Sequence, residues 1–339
     1  MTVLDAFRGQ AANCAALGSP FMARLMSLAA DRLRPGKPVT DKILAWAGDA
    51  SANADNVPLR LAGALHALRL QNLALADVYP PHDADDDTLW TAIEDAMDRH
   101  SEPILAWLDN PPQTNEVRRA AALLPALACL HQRFKRPVEL LELGASAGLN
   151  LRCDKFLLNL PEGAIGTAGS AVVLAPEWIG PMPPTRLPHI VRRAGVDLSP
   201  LDPTRADDRL RLLAYLWADQ PERLDRTRAA IGIARSTPAE VSAGDAGEWL
   251  RHELARPPTD RLRVVVHTVA WQYFPRGTRA TAEAAMNAAK GDLARIAMEY
   301  DGGNGAGVTL TVWPDGTPHQ IARADFHGRW VDWTGNAPD

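Results

Sequence analysis

Residues 138–148 constrain the fold of this chain more than any other segment. Their sequence, Val-Glu-Leu-Leu-Glu-Leu-Gly-Ala-Ser-Ala-Gly, is an apolar run followed by a turn of small residues. The run predicts a buried strand, and Gly144 and Gly148 let the backbone bend sharply and let a ligand approach it. Open α/β sheets bind ligands at the carboxyl ends of their strands, beside turns of this kind. The segment therefore predicts an α/β sheet with a nucleotide-type pocket.

Composition limits the class of protein. The chain has 339 residues, of which 46% are hydrophobic and 23% charged, so it is an ordinary globular chain long enough for two domains. The net charge of -5 gives no electrostatic reason to expect a nucleic acid or an anionic membrane as partner. No apolar run approaches the ~20 residues that span a bilayer, so we expect no membrane partner.

Neither the cysteines nor the acidic residues have the spacing of a metal site. Cys14, Cys129 and Cys153 are scattered, and the first residues lack the pattern of a signal peptide, so we expect a cytoplasmic location. The acidic run at residues 83–87 lacks the glycine and the distal glutamate of a calcium loop. We predict a solvated loop there and no bound metal.

Helical periodicity dominates residues 1–135. Ser19 followed by Pro20 is typical of a helix start, with the serine as N-cap. Further helices are expected at residues 59–75, 90–107 and 115–134. We predict an all-helical N-terminal domain that serves as a lid or substrate domain.

From residue 136 onward, short apolar runs alternate with helical stretches, which predicts βαβ units and a mostly parallel sheet. A stretch rich in proline and glycine, residues 161–188, interrupts this alternation and predicts an insertion with a hairpin that uses residues 171–174. Strands are expected at residues 138–143, 189–196, 239–244, 261–269, 293–299, 308–312 and 320–333. We predict one α/β domain over residues 136–339, with a Rossmann-like sheet of seven strands.

The turn after the first strand fits two chemistries. Read as Glu-x-Gly-x-Ser-x-Gly, it resembles the first motif of class I S-adenosylmethionine-dependent methyltransferases, with Ser146 in place of the middle glycine. Read as Gly-x-Ser-x-Gly, it matches the nucleophile elbow of α/β-hydrolases. A serine hydrolase also needs strands before its serine that supply an oxyanion-hole loop, and the segment before Ser146 is helical. The order of elements therefore favours the methyltransferase, and a hydrolase that uses Ser146 remains an alternative.

Later elements follow the order that the methyltransferase resemblance implies. An acid at the end of the second strand should bind ribose hydroxyls, because a carboxylate can accept two hydrogen bonds from a diol, and Asp197 has this place. Gly244-Asp245 ends the third strand and should bring a carboxylate to the adenine amino group. The resemblance also implies a fourth strand that ends over the methyl donor, and His267 has this place. Three further strands follow.

Five segments resemble a bacterial family known as domain of unknown function 2332. They are Gly18-Ser-Pro20, Thr114-Asn-Glu-Val117, residues 141–151, residues 195–203 and residues 326–333. The resemblance covers nearly the whole chain. Because the family resembles the methyltransferase fold, it implies an S-adenosylmethionine pocket but names no acceptor.

The predicted site divides into three groups. Glu142 is expected to hold the cofactor ammonium, and His267 to act as a base, since its unperturbed pKa of about 6.5 suits proton transfer near neutral pH. The cofactor group comprises Glu142, Gly144, Ser146, Gly148, Asn150, Asp197 and Asp245. The catalytic group comprises His267, Tyr273 and Glu299. The substrate group comprises Asn115, Glu116, Trp271 and His327.

Each of these residues also has a purely structural explanation. Asparagine and aspartate at strand and helix ends often cap helices, and a histidine at a strand end is often a hydrogen-bonded core group. The fourth strand is followed by His267-Thr-Val-Ala-Trp271 and not by an acceptor motif such as Asn-Pro-Pro-Tyr. A non-catalytic protein that binds a nucleoside-like ligand on the same fold is therefore the second hypothesis.

Overall fold

The computed structural model describes residues 2–335, which form eleven α-helices and twelve β-strands. The helices are α1 (Val3–Ala16), α2 (Pro20–Arg32), α3 (Pro38–Leu44), α4 (Val57–Leu70), α5 (Asp86–Arg99), α6 (Ser101–Leu108), α7 (Ala120–Phe134), α8 (Ala206–Ala214), α9 (Pro221–Ser236), α10 (Ala246–Ala255) and α11 (Arg276–Asn287). The strands are β1 (Val138–Leu143), β2 (Leu157–Leu160), β3 (Gly163–Gly166), β4 (Val173–Leu174), β5 (Glu177–Ile179), β6 (Ile190–Asp197), β7 (Glu240–Ala243), β8 (Leu262–Thr268), β9 (Leu293–Glu299), β10 (Ala306–Trp313), β11 (Pro318–Ala324) and β12 (Trp330–Trp333).

The chain divides into two compact units. One holds the residues up to Thr114 together with Arg205–Asp225, and the other holds Asn115–Thr204 together with the residues from Arg226 onward. Helix α7 therefore belongs with the sheet, although its periodicity resembles that of the preceding helices. Within the part of the chain that the structure describes, no helix has both the length and the apolar character to cross a membrane.

The first unit is helical, and its hydrophobic core is built from α1 to α6. Ser19 begins α2 as predicted: its hydroxyl accepts a 3.4 Å hydrogen bond from the Met22 amide and donates a 2.5 Å hydrogen bond to Asp219. The single helix expected at residues 90–107 is two helices, α5 and α6, separated at His100. Pro103 explains the break, because proline is tolerated in the first turn of a helix but not in its interior.

The second unit contains a mixed, mostly parallel sheet of nine strands, where seven were predicted. Its strand order is β5-β12-β11-β10-β9-β8-β1-β6-β7. Five neighbours, β7, β6, β1, β8 and β9, run parallel, and β10, β11 and β12 continue from β9 as antiparallel strands. The βαβ alternation thus builds the parallel half, as the sequence predicts.

Two differences account for the two extra strands. The strand predicted at 320–333 is interrupted by a turn at Gly328, whose φ of +67° favours glycine, and it becomes β11 and β12. The insertion supplies β5, which pairs in parallel with β12. The predicted hairpin at residues 171–174 is wrong: β2 and β3 form the hairpin, and β4 pairs in parallel with β2 in a separate three-stranded sheet.

The order of the parallel strands reverses at β1. From β1 the chain proceeds to β6 and β7 on one side and then returns to β8 and β9 on the other. Ligands of open α/β sheets bind outside the carboxyl ends of the strands at this kind of reversal. The glycine turn that follows β1 lies at this position.

Candidate functional site

The glycine turn, residues 144–148, has three residues in the left-handed region. Gly144, Ser146 and Gly148 have φ values of +70°, +52° and +64°. The amides of Gly144 and Ala145 donate hydrogen bonds of 2.9 and 3.0 Å to the carbonyl of Val196, at the end of β6. The turn is therefore bound to the neighbouring strand and has a fixed shape.

Side chains of the protein itself require the two glycines. A Cβ on Gly144 would lie 2.7 Å from Cβ of Ala270, and a Cβ on Gly148 would lie 2.9 Å from Cγ2 of Val241. Real Cβ atoms do not approach other carbon atoms this closely. Packing alone thus explains why both positions are glycine.

Glu142, the residue before Leu143 at the end of β1, is a buried acid with an unsatisfied oxygen. Its exposed fraction is 2%, and Oε2 has no hydrogen-bond partner among residues 2–335. Burial raises the pKa of the carboxyl group to about 8, and Asp197 adds to this shift, while Arg152 and Arg119 oppose it. A carboxyl group in this state ionises readily when a cation comes close.

Two more buried polar atoms at the turn lack a partner within the described chain. They are the hydroxyl of Ser146 and Oδ1 of Asn150. The amide nitrogen of Asn150 donates a 3.1 Å hydrogen bond to the Glu116 carbonyl, and Oδ1 of Asn115 accepts a 2.9 Å hydrogen bond from the Leu149 amide. Asn115 and Glu116 therefore support the residues that follow the turn. Residues 142–150 thus carry three buried polar atoms for which the described part of the chain provides no partner.

The two strand-end aspartates differ in how many hydrogen bonds their carboxylates already accept. Asp197 accepts one hydrogen bond on each oxygen, of 2.9 Å from the Ser146 amide and 3.0 Å from the Ser199 amide, and retains acceptor capacity on both. Asp245 caps α10 by accepting from the amides of Gly247 and Glu248, and it also accepts from a threonine hydroxyl on α11. Burial disfavours its charge, but these hydrogen bonds hold the pKa of Asp245 below the ordinary value.

His267 is fully buried, and both of its ring nitrogens have partners. Nδ1 lies 2.6 Å from Oε1 of Glu299, and Nε2 accepts a 2.8 Å hydrogen bond from Nε of Arg295. Nδ1 therefore carries the proton of a neutral imidazole. Burial lowers the pKa of His267, and the positive charge of Arg295 lowers it further, against the opposing effect of Glu299. In this arrangement His267 can accept a proton from a ligand only if Arg295 moves.

Residues 269–274, which we call the cover segment, follow β8 and pack on the glycine turn. Oε1 of Glu299 accepts hydrogen bonds of 3.0 and 3.2 Å from the amides of Ala270 and Trp271. The Trp271 ring stacks on His267 at a centroid distance of 4.9 Å. Tyr273, in contrast, is 59% exposed and lies at the surface.

The chain matches one described family over most of its length. Residues 4–333 match the family described as uncharacterized protein conserved in bacteria (DUF2332). The chain belongs to this family. No curated protein and no solved structure matches it.

Four of the five family-like segments of this DUF2332 chain meet at the carboxyl edge of its sheet. Hydrogen bonds join residues 114–117 to residues 141–151, and join residues 141–151 to residues 195–203. Arg119, which follows residues 114–117, contacts the segment at residues 326–333, because its Nε donates a 3.0 Å hydrogen bond to the Phe326 carbonyl. These four segments, apart from Thr114, thus lie in one region of the second unit.

His327 lies in the loop between β11 and β12, which Asp325 organises. The carboxylate of Asp325 accepts hydrogen bonds from the amides of His327 and Arg329 and from the Arg329 guanidinium. Burial opposes the charge of Asp325, but the hydrogen bonds from Arg329 hold its pKa below the ordinary value. His327 is half-buried in this loop.

Sequence reasoning missed three arginines. Arg119 bridges the carbonyls of Phe326 and Thr268, Arg152 donates a 2.6 Å hydrogen bond to the Gly148 carbonyl, and Arg295 contacts His267. None lies at a strand end or in a recognisable motif. Their long side chains reach the site from positions that the local pattern does not mark.

Proposed function

We propose that this protein binds S-adenosylmethionine at the glycine turn and transfers its methyl group to a small-molecule acceptor. The observation that carries the proposal is a set of three buried polar atoms that lack a partner among residues 2–335, on Glu142, Ser146 and Asn150, at the end of the central strand. Buried polar groups in proteins are normally hydrogen-bonded, so three such atoms within residues 142–150 support a polar ligand at this position. The reversal of strand order at β1 supports the same position.

The hydrogen-bond acceptors at the turn fit the amino-acid part and the ribose of this cofactor. The carboxyl group of Glu142 would ionise beside the cofactor ammonium, and Oδ1 of Asn150 would offer a second acceptor. The remaining acceptor capacity of Asp197 suits a ribose diol. When bound, the cofactor supplies a methyl group on a positively charged sulfur, which an oxygen, nitrogen or carbon atom of the acceptor can attack.

The contribution of the chain to such a transfer is alignment and exclusion of water. The turn is fixed by hydrogen bonds to β6, so a ligand held by it has a defined orientation. His267 would take a proton from the acceptor only after Arg295 leaves Nε2, and Glu299 would then stabilise the imidazolium through Nδ1. Tyr273, at the surface of the cover segment, is free to contact an acceptor.

The hydrolase alternative lacks support from the geometry. A nucleophilic serine needs a base within hydrogen-bond distance. The hydroxyl of Ser146 has no partner among residues 2–335, and both ring nitrogens of His267 have other partners.

The non-catalytic alternative predicts the same ligand binding as the methyltransferase. The two hypotheses differ only in whether the methyl group is transferred.

Thermal unfolding with S-adenosylmethionine or S-adenosylhomocysteine tests binding. A ligand at a hundredfold excess over its dissociation constant should stabilise the protein by about 2.7 kcal/mol. Glu142→Gln should abolish the shift. Glu139→Gln is the matched control, since Glu139 is also a buried acid of β1 but pairs with Arg261 at 3.1 Å, and it should keep the shift.

The absence of any shift for the wild type with either ligand at millimolar concentration would overturn the proposal. If a shift is found, transfer of a labelled methyl group into a small-molecule extract of bacterial cells separates the two remaining hypotheses. Labelled product supports the methyltransferase. Binding without labelled product favours the non-catalytic protein.

A further inference from the structure

The cover segment begins with a strained residue. Val269 has a φ of +51°, in the left-handed region, where a β-branched residue is a clear outlier. Its amide donates a 2.8 Å hydrogen bond to the Met298 carbonyl on β9. Backbone strain of this kind persists only where the surrounding structure enforces it, and it is concentrated at clamps and switch regions.

Glu299 makes the contacts that hold the cover segment in this conformation. A single oxygen of its carboxylate accepts from the amides of Ala270 and Trp271 and from the ring of His267. Its other oxygen, Oε2, is buried and has no partner in the described chain. The Trp271 ring is further held between His267 and the Arg295 guanidinium, which lies 4.3 Å from the ring centroid.

The cover segment occupies the space that a ligand would need at Gly144. Ala270 would be 2.7 Å, and the Phe274 ring 3.6 Å, from a Cβ at that position. No atom of a ligand can approach this side of the Gly144 backbone while the segment is in place. Access to this part of the turn therefore requires movement of the cover segment.

We propose that the cover segment is a gate on the glycine turn, that Glu299 is the positioning residue that holds the gate closed, and that Val269 is the strained hinge that favours opening. The gate follows from contacts within the protein. That a ligand binds at the turn, and which ligand it is, rest on the proposed function. The two residues act in opposite directions, so their variants should have opposite effects.

Amide hydrogen exchange of the whole chain without ligand tests the gate. Glu299→Gln keeps one acceptor oxygen but removes the charge, and it should speed exchange at the Ala270 and Trp271 amides by about tenfold. Asparagine adopts left-handed backbone with less strain than valine, so Val269→Asn should slow exchange at the same amides several-fold. Tyr300→Ala, an exposed neighbour of Glu299, is the matched control and should leave both amides unchanged.

The rate of ligand association provides a readout that a merely structural role would not produce. Stopped-flow tryptophan fluorescence with S-adenosylhomocysteine should show faster association for Glu299→Gln and slower association for Val269→Asn than for the wild type. If amide exchange is unchanged in the two variants, or changes in the same direction in both, the gate proposal is wrong. The exchange experiment decides the gate even if S-adenosylhomocysteine does not bind, and lack of binding counts only against the proposed function.

Discussion

The carboxylate of Asp197 accepts a 2.9 Å hydrogen bond from the amide of Ser146, and this contact joins the end of β6 to the turn that follows β1. The same carboxylate accepts from the amide of Ser199. The aspartate therefore shapes the turn in addition to any role with a ligand. The structural role of Asp197 and its role in ligand binding can be measured separately.

Asp197→Ala should lower the free energy of unfolding by about 1–3 kcal/mol, because it leaves a buried amide donor without a partner. Asp197→Asn retains one acceptor oxygen and should lower the free energy of unfolding by less. Urea unfolding measures both values. Glu162→Ala, which removes an exposed carboxylate of the same unit, is the control. Equal losses for Asp197→Ala and Glu162→Ala would contradict the structural role of Asp197.

The raised pKa of Glu142 should make stability depend on pH. Between its ordinary value of 4.5 and its value of about 8 in the folded protein, the folded state holds a proton that the unfolded state has released. Stability from this group is complete below pH 4.5 and is lost as the pH rises toward 8, with a slope of at most about 1.4 kcal/mol per pH unit. Glu142→Gln should remove that slope. Urea unfolding between pH 5 and 8 checks this, and parallel profiles for variant and wild type would exclude it.

Ligand binding should release the same proton. At pH 7 the carboxyl group of Glu142 is largely protonated, and pairing with a ligand ammonium would favour its ionised form. Titration calorimetry with S-adenosylhomocysteine, in two buffers of different ionisation enthalpy, should show release of close to one proton per ligand bound. A binding enthalpy that is independent of the buffer would show that Glu142 does not pair with the ligand.

Gly144→Ala should destabilise the protein for two separable reasons. Left-handed backbone costs an alanine about 1–2 kcal/mol, and the new methyl group meets Ala270. Ala270→Gly removes the clash but not the backbone strain, so the double variant should recover part of the loss. A double-mutant cycle by urea unfolding measures this recovery, which should exceed about 0.5 kcal/mol. Additive effects would mean that Ala270 does not limit the space at Gly144.

Ser19→Ala tests the packing of the helical unit. The side chain is fully buried, begins α2 and donates a hydrogen bond to Asp219, so its loss removes a cap and leaves a carboxylate with one donor fewer. We expect a decrease in stability of about 1–2 kcal/mol or more. Ser27→Ala, at an exposed position of the same helix, should stay within about 0.5 kcal/mol of the wild type. Similar values for the two variants would refute the capping role.

The parallel half of the sheet was predictable because its signals are local. Residues 138–143 and 293–299 were predicted as strands and are β1 and β9. Alternation with helices is enough to predict that such strands run parallel. The number of strands was not predictable in this way, because β5 is three residues long and is defined by its pairing with β12.

The candidate site was predictable only in part, for a related reason. Strand-end residues such as Glu142 and Asp197 can be located from the strand pattern itself. The contacts of His267 with Arg295 and Glu299 depend on side chains of the adjacent strand β9, and strand adjacency follows from the complete topology. The strain at Val269 likewise has no local signal, since nothing in the sequence of a β-branched residue predicts left-handed backbone.

The pairing of β5 with β12 has a consequence for the synthesis of the chain. The two strands meet in register, with Val331 opposite Trp178, and the Trp178 and Trp333 rings stack at 6.0 Å. About 150 residues separate the strands, which at translation rates of 5–20 residues per second is roughly 8–30 s of ribosome time. During that interval Trp178 and Ile179 leave the ribosome with no strand to pair with. In the finished protein, β12 covers one edge of β5. A nascent chain stalled before β12 would thus expose this apolar segment to chaperones.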